Sequence, residues 1–156
     1  RVGSLARGFG LNVLAHDPLM PAEAVEAGGA RPVAGLADLL AAADFVSLHL
    51  PLTEATKGFI SREVIFNQFK PGALLINCAR GGLVDEAALA EALAEHRLAG
   101  AGLDVFETEP PPPSHPLLTL DNVIVTPHLG ASTAEAQVNV ARSIADQMID
   151  YLRGGG

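Results

Sequence analysis

Four apolar runs, FVSLHL, ALLINC, GLDVF and NVIVT, alternate with longer segments whose apolar residues recur at helical spacing. This alternation restricts the fold more than any other feature. A strand that returns through a helix pairs in parallel with its predecessor, and the helices cover the faces of the resulting sheet. Leu11 to Ala15 and a brief edge strand from Ala30 to Val33 carry the pattern toward the start. Between the runs, Pro21 to Ala27 reads as a short helix with Pro in its first turn and Gly28-Gly29 as its stop. Leu36, Leu39, Leu40 and Ala43 share one helical face. Ser61 and Asp85 stand as N-caps, the first of a helix to Gln68 and the second of one carrying Leu89 and Leu93. The last helix gathers Ala141, Ile144, Ala145, Met148, Ile149 and Leu152 on one stripe. The chain therefore predicts an α/β fold with a doubly wound parallel sheet.

The stretch Asn122 to Ser132, NVIVTPHLGAS, is the most informative. Val123, Ile124 and Val125 favour a pleated strand, and Pro127 stops it by lacking a backbone donor. Ser132 with Glu135 fits a capping box that opens the next helix. His128 then lies at the carboxyl end of a strand, the edge where open α/β sheets bind ligands. A lone histidine is more often structural, so its weight depends on what the other strands present.

Composition limits the alternatives. The 156 residues suffice for one domain with a real core. A formal charge of −8 without a basic cluster argues against a nucleic-acid surface. Cys78 is the only cysteine, so neither an internal disulfide nor a cysteine zinc cluster is available. No His/Cys spacing supports a metal site. No apolar run approaches the roughly 20 residues of a membrane span. No signal peptide is evident, and a cytoplasmic enzyme or binding domain is the expectation.

The sequence opens without methionine, at RVGSLARGFG. Arg1 to Phe9 reads as a helix ended by Gly10, and the strand after it leads into His16-Asp17-Pro18. A helix followed by a strand ending in an acid is the second half of a βαβ dinucleotide unit. Asp17 lies 14 residues after Gly3. If Gly3 is the third glycine of G-x-G-x-x-G, the acid falls about 19 residues after the first, close to the spacing of about 20 that a ribose-binding acid keeps. The other reading of Asp17 is an acid in an ordinary turn before proline. The first strand and two glycines of the unit are not in the sequence.

The strand ends together form a reactive rim: Asp17, then His49 with Pro51, Asn77 to Arg80, Asp104 to Glu109, and His128. Arg80 could hold a carboxylate bidentately, or form a surface ion pair with Asp85 or Glu86. Glu109 precedes Pro110 to Pro113, a stiff segment able to fix a carboxylate, or simply a rigid linker. A carboxylate beside His128 would favour its imidazolium and orient the ring. His16, His96 and His115 each stand alone and are expected to be solvated. Cys78 lacks a dedicated base and reads as a small packing residue.

The segments LHLPLTEATKGFI, LINCARGGLVDEAAL, AGLDVFETEPP and TPHLGASTAEAQ resemble the signatures of the D-2-hydroxyacid dehydrogenases, and the resemblance runs from Arg1 to about Arg153. Its CARGG and PHLGAST forms lean toward the phosphoglycerate branch rather than the glyoxylate or hydroxypyruvate reductases. The resemblance implies a Rossmann-like NAD-binding domain over residues 1–153, followed by a glycine tail at 154–156. It also implies a sheet without its first strand and no substrate domain in this sequence. By the same resemblance His128 is the proton donor and acceptor, Glu109 its carboxylate partner and Arg80 the anchor for the substrate carboxylate. Asp17 binds the adenosine ribose, Asp104 lies near the nicotinamide carboxamide, and Arg1 and Val2 begin the helix that faces the pyrophosphate. Pro18, His49, Pro51, Thr56, Cys78, Ala79, Gly130 and Ala131 line NAD.

The expected activity is NAD-dependent oxidation of a D-2-hydroxy acid in a homo-oligomer, dimer or tetramer, with neither nucleic acid nor membrane as partner. Two other readings stay open: a different 2-keto-acid reductase, and a dinucleotide-sensing binding protein like the C-terminal-binding-protein corepressors. These 156 residues by themselves are expected to bind NAD poorly, turn over no hydroxy acid and self-associate.

Overall fold

The computed structural model describes residues 1–130 and 132–154. Strands β1 (Leu14–Ala15), β2 (Arg31–Pro32), β3 (Phe45–Leu48), β4 (Leu74–Asn77), β5 (Gly100–Leu103) and β6 (Val123–Val125) alternate with helices. The helices are α1 (Val2–Gly8), α2 (Ala22–Ala27), α3 (Leu36–Ala42), α4 (Arg62–Asn67), α5 (Glu86–Ala94) and α6 (Ala134–Leu152). Every ladder is parallel, and the strands form two sheets, β1-β2 and β3-β4-β5-β6. Among the described residues no ladder joins β1 to β3.

Register decides what the sheet presents. Leu48 pairs with Asn77, Asn77 with Leu103, and Leu103 with Val125. Strands that end level place the next residues, His49, Cys78, Asp104 and Thr126, along a single carboxyl edge. The larger sheet is pinned from one side. Leu40, Ile60, Ile65, Leu75, Leu83, Leu89, Leu93 and Leu98 are fully buried between β3–β5 and the helices α3, α4 and α5. Burial of side chains of this size stabilises by about 1.5–3 kcal/mol each. α5 is apolar almost all round, with Ala88, Leu89, Ala90, Ala92 and Leu93 buried, so it sits in the core rather than on it.

Several local expectations change. The strand expected over Leu11 to Ala15 shrinks to two residues, and the one over Gly102 to Phe106 is shifted to Gly100–Leu103. In the second case the Asp104 carboxylate, just past the strand, accepts from the amides of Leu129 and Gly130. Pro21 is the N-cap of α2 rather than its first helical residue. Asp85 and Ser61 cap as expected, accepting from Ala88 N at 2.9 Å and Val64 N at 3.3 Å. The capping box is misplaced by one residue: Thr133 caps α6 by accepting from Ala136 N, while Ser132 Oγ donates to the His128 carbonyl at 2.7 Å. The stripe on α6 exists but covers nothing, since no described residue of that helix is buried. Phe45 is likewise 56% exposed on β3, so a strand with the composition of a two-sided core buries only Val46 and Leu48. Ala131 and residues 155–156 lie outside the described residues, which leaves the expectations for Ala131 and for most of the glycine tail there.

Candidate active site at the carboxyl edge

β6 ends at Val125, and Thr126 to Gly130 turn back over the strand ends. Asp104, the first residue after β5, holds that turn. Its Oδ1 accepts from Thr126 Oγ1 at 2.5 Å and from Leu129 N at 2.8 Å, and its Oδ2 from Gly130 N at 3.2 Å. Burial pushes the carboxyl up, but these donors outweigh it and hold Asp104 below the ordinary carboxylate range. Asp104 is 6% exposed, its oxygens engaged by one hydroxyl and two backbone amides. The carboxylate braces the loop that carries His128, which is compatible with the place near the carboxamide that the resemblance implies.

Held in this way, His128 adopts φ 54°, a left-handed conformation that costs a non-glycine residue strain and that clusters at functional sites. Its Nδ1 lies 2.7 Å from Glu109 Oε2. An ionised carboxylate only accepts, so Nδ1 carries the proton and Nε2 of the neutral ring is left bare. Glu109 Oε1 accepts from Phe106 N at 3.0 Å. The hydrogen bond from His128 and then that amide hold the Glu109 carboxyl below its usual value. Pro110 follows Glu109 through a cis peptide bond.

Arg80 reaches the same edge from β4. Buried Asn77 shapes its loop, donating from Nδ2 to the Arg80 carbonyl at 2.9 Å and accepting from Ala79 N at 3.1 Å. Arg80 is exposed, donates to the Ala79 carbonyl at 2.6 Å and forms no ion pair among the described residues. The alternative pairing with Asp85 or Glu86 is therefore absent there. Gly81 explains how close the two loops come: a Cβ on it would stand 1.9 Å from the Phe106 carbonyl oxygen and 2.8 Å from Glu107 N. Only glycine lets the Arg80 loop rest on the backbone that leads to Glu109.

The remaining candidates belong to both sheets and to α1. Asp17 is exposed after β1, its Oδ1 accepting from Leu19 N at 2.9 Å in a side-chain turn before the next helix. Its second oxygen has no partner among the described residues, so the turn reading and the ribose reading are compatible. Pro18 follows it on the surface. His49 Nε2 lies 2.9 Å from Ser47 Oγ. Thr56 is inward-facing, with Oγ1 donating to the Pro51 carbonyl at 2.7 Å and accepting from Thr53 N at 2.8 Å, so it shapes the Pro51 loop. Cys78 is exposed at the edge, and burial of its sulfur together with the charge of Asp104 pushes the thiol up, keeping it protonated. Arg1 and Val2 are exposed at the start of α1, and Gly3 faces the Val13 side chain. In residue type, an exposed carboxylate suits ribose hydroxyls, and prolines with small side chains suit flat rings, a set that fits a dinucleotide. Among the described residues no His, Cys, Asp and Glu cluster could hold a metal ion, and no helix is long and apolar enough to cross a membrane.

Two histidines expected in solvent are engaged. His16 Nδ1 donates to the Val33 carbonyl at 3.0 Å, tying β1 to the exit of β2. His115 is half-buried and lies 3.0 Å from Glu86. Asn77, Gly81 and Thr126 were legible as rim residues or neighbours, but their bracing contacts carry no signal in linear sequence.

Known proteins resemble this chain along nearly its whole length. D-3-phosphoglycerate dehydrogenase of Methanocaldococcus jannaschii is 50% identical over 149 residues, 96% of this chain and 28% of its own length. A crystal structure from Thermus thermophilus is 40% identical with a TM-score of 0.80, over 98% of this chain and 47% of that one. NAD-dependent formate dehydrogenase from Staphylococcus aureus, solved with NAD, is 27% identical with a TM-score of 0.82, over 99% and 45%. The chain spans less than a third of that curated relative and about half of the solved chains. These likenesses show a Rossmann-like NAD-binding fold. The family model "D-isomer specific 2-hydroxyacid dehydrogenase, NAD binding domain" matches residues 1–130, and the chain belongs to that family.

Proposed function

We propose that the protein carrying this chain oxidises a D-2-hydroxy acid, D-3-phosphoglycerate to 3-phosphohydroxypyruvate, with residues 1–153 as its NAD-binding domain. The reading includes a cytoplasmic homo-oligomer whose substrate domain lies elsewhere in the protein. The observation that carries it is the His128–Glu109 pair, with Nε2 left bare, at the sheet edge that also carries Arg80, which has no ion pair among the described residues. Relatives named D-3-phosphoglycerate dehydrogenase support the choice of substrate.

Asp17 would hold the ribose, and Pro18, Pro51, Cys78, Ala79 and Gly130 would flank the rings. NAD, when bound, supplies a hydride acceptor. Arg80 binds the carboxylate of the hydroxy acid through paired N–H groups. Nε2 of neutral His128 takes the hydroxyl proton as the C2 hydrogen leaves with its electron pair, and the keto acid results. Glu109 then faces an imidazolium, which its charge stabilises. The complete Arg80, Glu109 and His128 set is compatible with a purely dinucleotide-sensing role as well, and turnover is what separates the two. The test is the intact protein assayed with NAD and NADP against a panel of 2-hydroxy acids. Rapid NAD reduction with D-3-phosphoglycerate supports the reading. Turnover confined to glyoxylate or hydroxypyruvate replaces the substrate, and tight NAD binding without turnover replaces the activity.

A further inference from the structure

A second histidine–carboxylate pair lies behind the first. Glu86 is the opening residue of α5, directly after its cap Asp85. Its Oε1 accepts from Glu107 N at 2.6 Å, and its Oε2 lies 3.0 Å from His115 Nε2. The side chains of both partners are 16% exposed. His115 Nδ1 accepts from Leu117 N at 3.3 Å, so the ring's proton is on Nε2 and is donated to Glu86. The ring also meets Phe106 edge-on, with centroids 5.4 Å apart and planes at 78°.

Glu86 therefore fastens the chain at 107 and at 115, the two ends of the segment that contains Glu109 and its prolines. Between those points Glu109 is held by Phe106 N and holds His128. From the other side, Gly81 rests on the Phe106 carbonyl. A mostly buried polar pair contributes little to stability compared with apolar side chains of similar size, whereas it sets geometry sharply. Glu86 accepts at both oxygens, which a glutamine cannot do.

We propose that Glu86, acting with His115, is a positioning residue that fixes Glu109 and thereby the His128 imidazole for proton transfer. This inference rests on the dehydrogenase reading for its kinetic consequence. It is tested in the intact protein with Glu86→Gln, Glu86→Ala, Glu109→Gln and the Glu86→Ala/Glu109→Gln double variant. Misplacing a reacting group by about 1 Å can cost roughly 100-fold, so Glu86→Ala should lower kcat by about 10–100-fold with NAD affinity unchanged. Glu86→Gln, the least disruptive variant, should show a smaller loss of the same kind. Because Glu86 acts through Glu109, the double variant should be scarcely slower than Glu109→Gln alone. Nitrogen NMR of the histidine rings gives a readout without turnover: the Nδ1–H of His128 bonded to Glu109 should be detectable in the unmodified protein and lost in Glu86→Ala. Unchanged kcat and an unchanged His128 signal in both Glu86 variants, or strictly additive losses, overturn the proposal. If the unmodified protein oxidises no hydroxy acid, the dehydrogenase reading fails, and the ring signal still decides whether Glu86 positions Glu109.

Discussion

His128 Nδ1 and Glu109 Oε2 meet at 2.7 Å, although 19 positions separate them in the chain. The contact joins the exits of β5 and β6, neighbours in the sheet whose register ends level. Its chemical effect is to fix one tautomer, so that the base points away from its carboxylate. Glu109→Gln keeps an acceptor for Nδ1–H but removes the charge that favours imidazolium. Turnover by this variant should fall while its substrate affinity is kept. His128→Gln should lose about 10²–10⁴ in kcat with NAD affinity intact. Steady-state rates across pH, alongside a fluorescence titration with NAD, check both.

Asp17 has one oxygen bound in its own turn and one unpartnered among the described residues. That carboxylate accepts from ribose hydroxyls and repels a 2′-phosphate, so NAD should be preferred over NADP. Asp17→Ala should narrow the preference in kcat/KM measured with each cofactor. Equal use of both by the unmodified protein would be incompatible with this role.

Gly81→Ala should be unexpectedly costly for so small a change. The added Cβ would stand 1.9 Å from the Phe106 carbonyl oxygen, a contact that only backbone movement relieves. Overpacking of this kind destabilises by about 1–3 kcal/mol, and here it separates the loop of Arg80 from that of Glu109. Denaturant titration should show the loss of stability and steady-state assays a fall in kcat/KM. Substitution at Gly58, where a Cβ meets nothing within 4 Å but φ is 63°, provides a control for backbone strain without crowding.

Asp104 links the fold to pH. Its carboxyl is depressed in the folded state, so its contribution is complete above the ordinary aspartate value of roughly 4 and is lost as pH falls through the depressed one. Asp104→Asn turns an amide NH₂ toward donors and should cost about 1–3 kcal/mol near neutrality. Urea denaturation of the intact protein should show that deficit shrinking below about pH 4. A deficit constant from about pH 7 to about pH 3 would mean that the carboxylate's charge plays no part.

β1 and β3 each leave an edge without a ladder among the described residues. Open edges template association, and α6 adds an apolar stripe with Ile144 52% and Met148 61% exposed. A polypeptide of these 156 residues alone should sediment as a concentration-dependent oligomer and show no saturable NAD binding by calorimetry. Micromolar binding by a verified monomer would refute this.

How much of this could be read without the fold depends on how local each signal is. The strands after Asp44 and Pro71-Gly72 were legible because an apolar run bounded by turn residues is a property of neighbours in sequence. The caps Ser61 and Asp85 were legible for the same reason, since each satisfies an amide three residues on. With strands parallel, strand ends within one sheet share an edge by topology, and so Arg80, Glu109 and His128 could be listed together in advance, whereas Asp17 follows β1 in the other sheet. Cap choice at α6 differs by one residue from the local pattern because Ser132 has a second acceptor, the His128 carbonyl, that only the loop's path supplies. His115 looks solitary in sequence because its partner Glu86 is 29 positions away. The bracing role of Asp104 is silent in sequence because Thr126, Leu129 and Gly130, which fold onto it, are 22 to 26 positions away. The sequence by itself determined the order of elements and which residues reach the edge, since periodicity and capping act over a few residues. The tertiary structure alone decided which of those residues brace and which remain free, because a hydrogen bond between distant positions exists only once register and loop path have brought its donor and acceptor together.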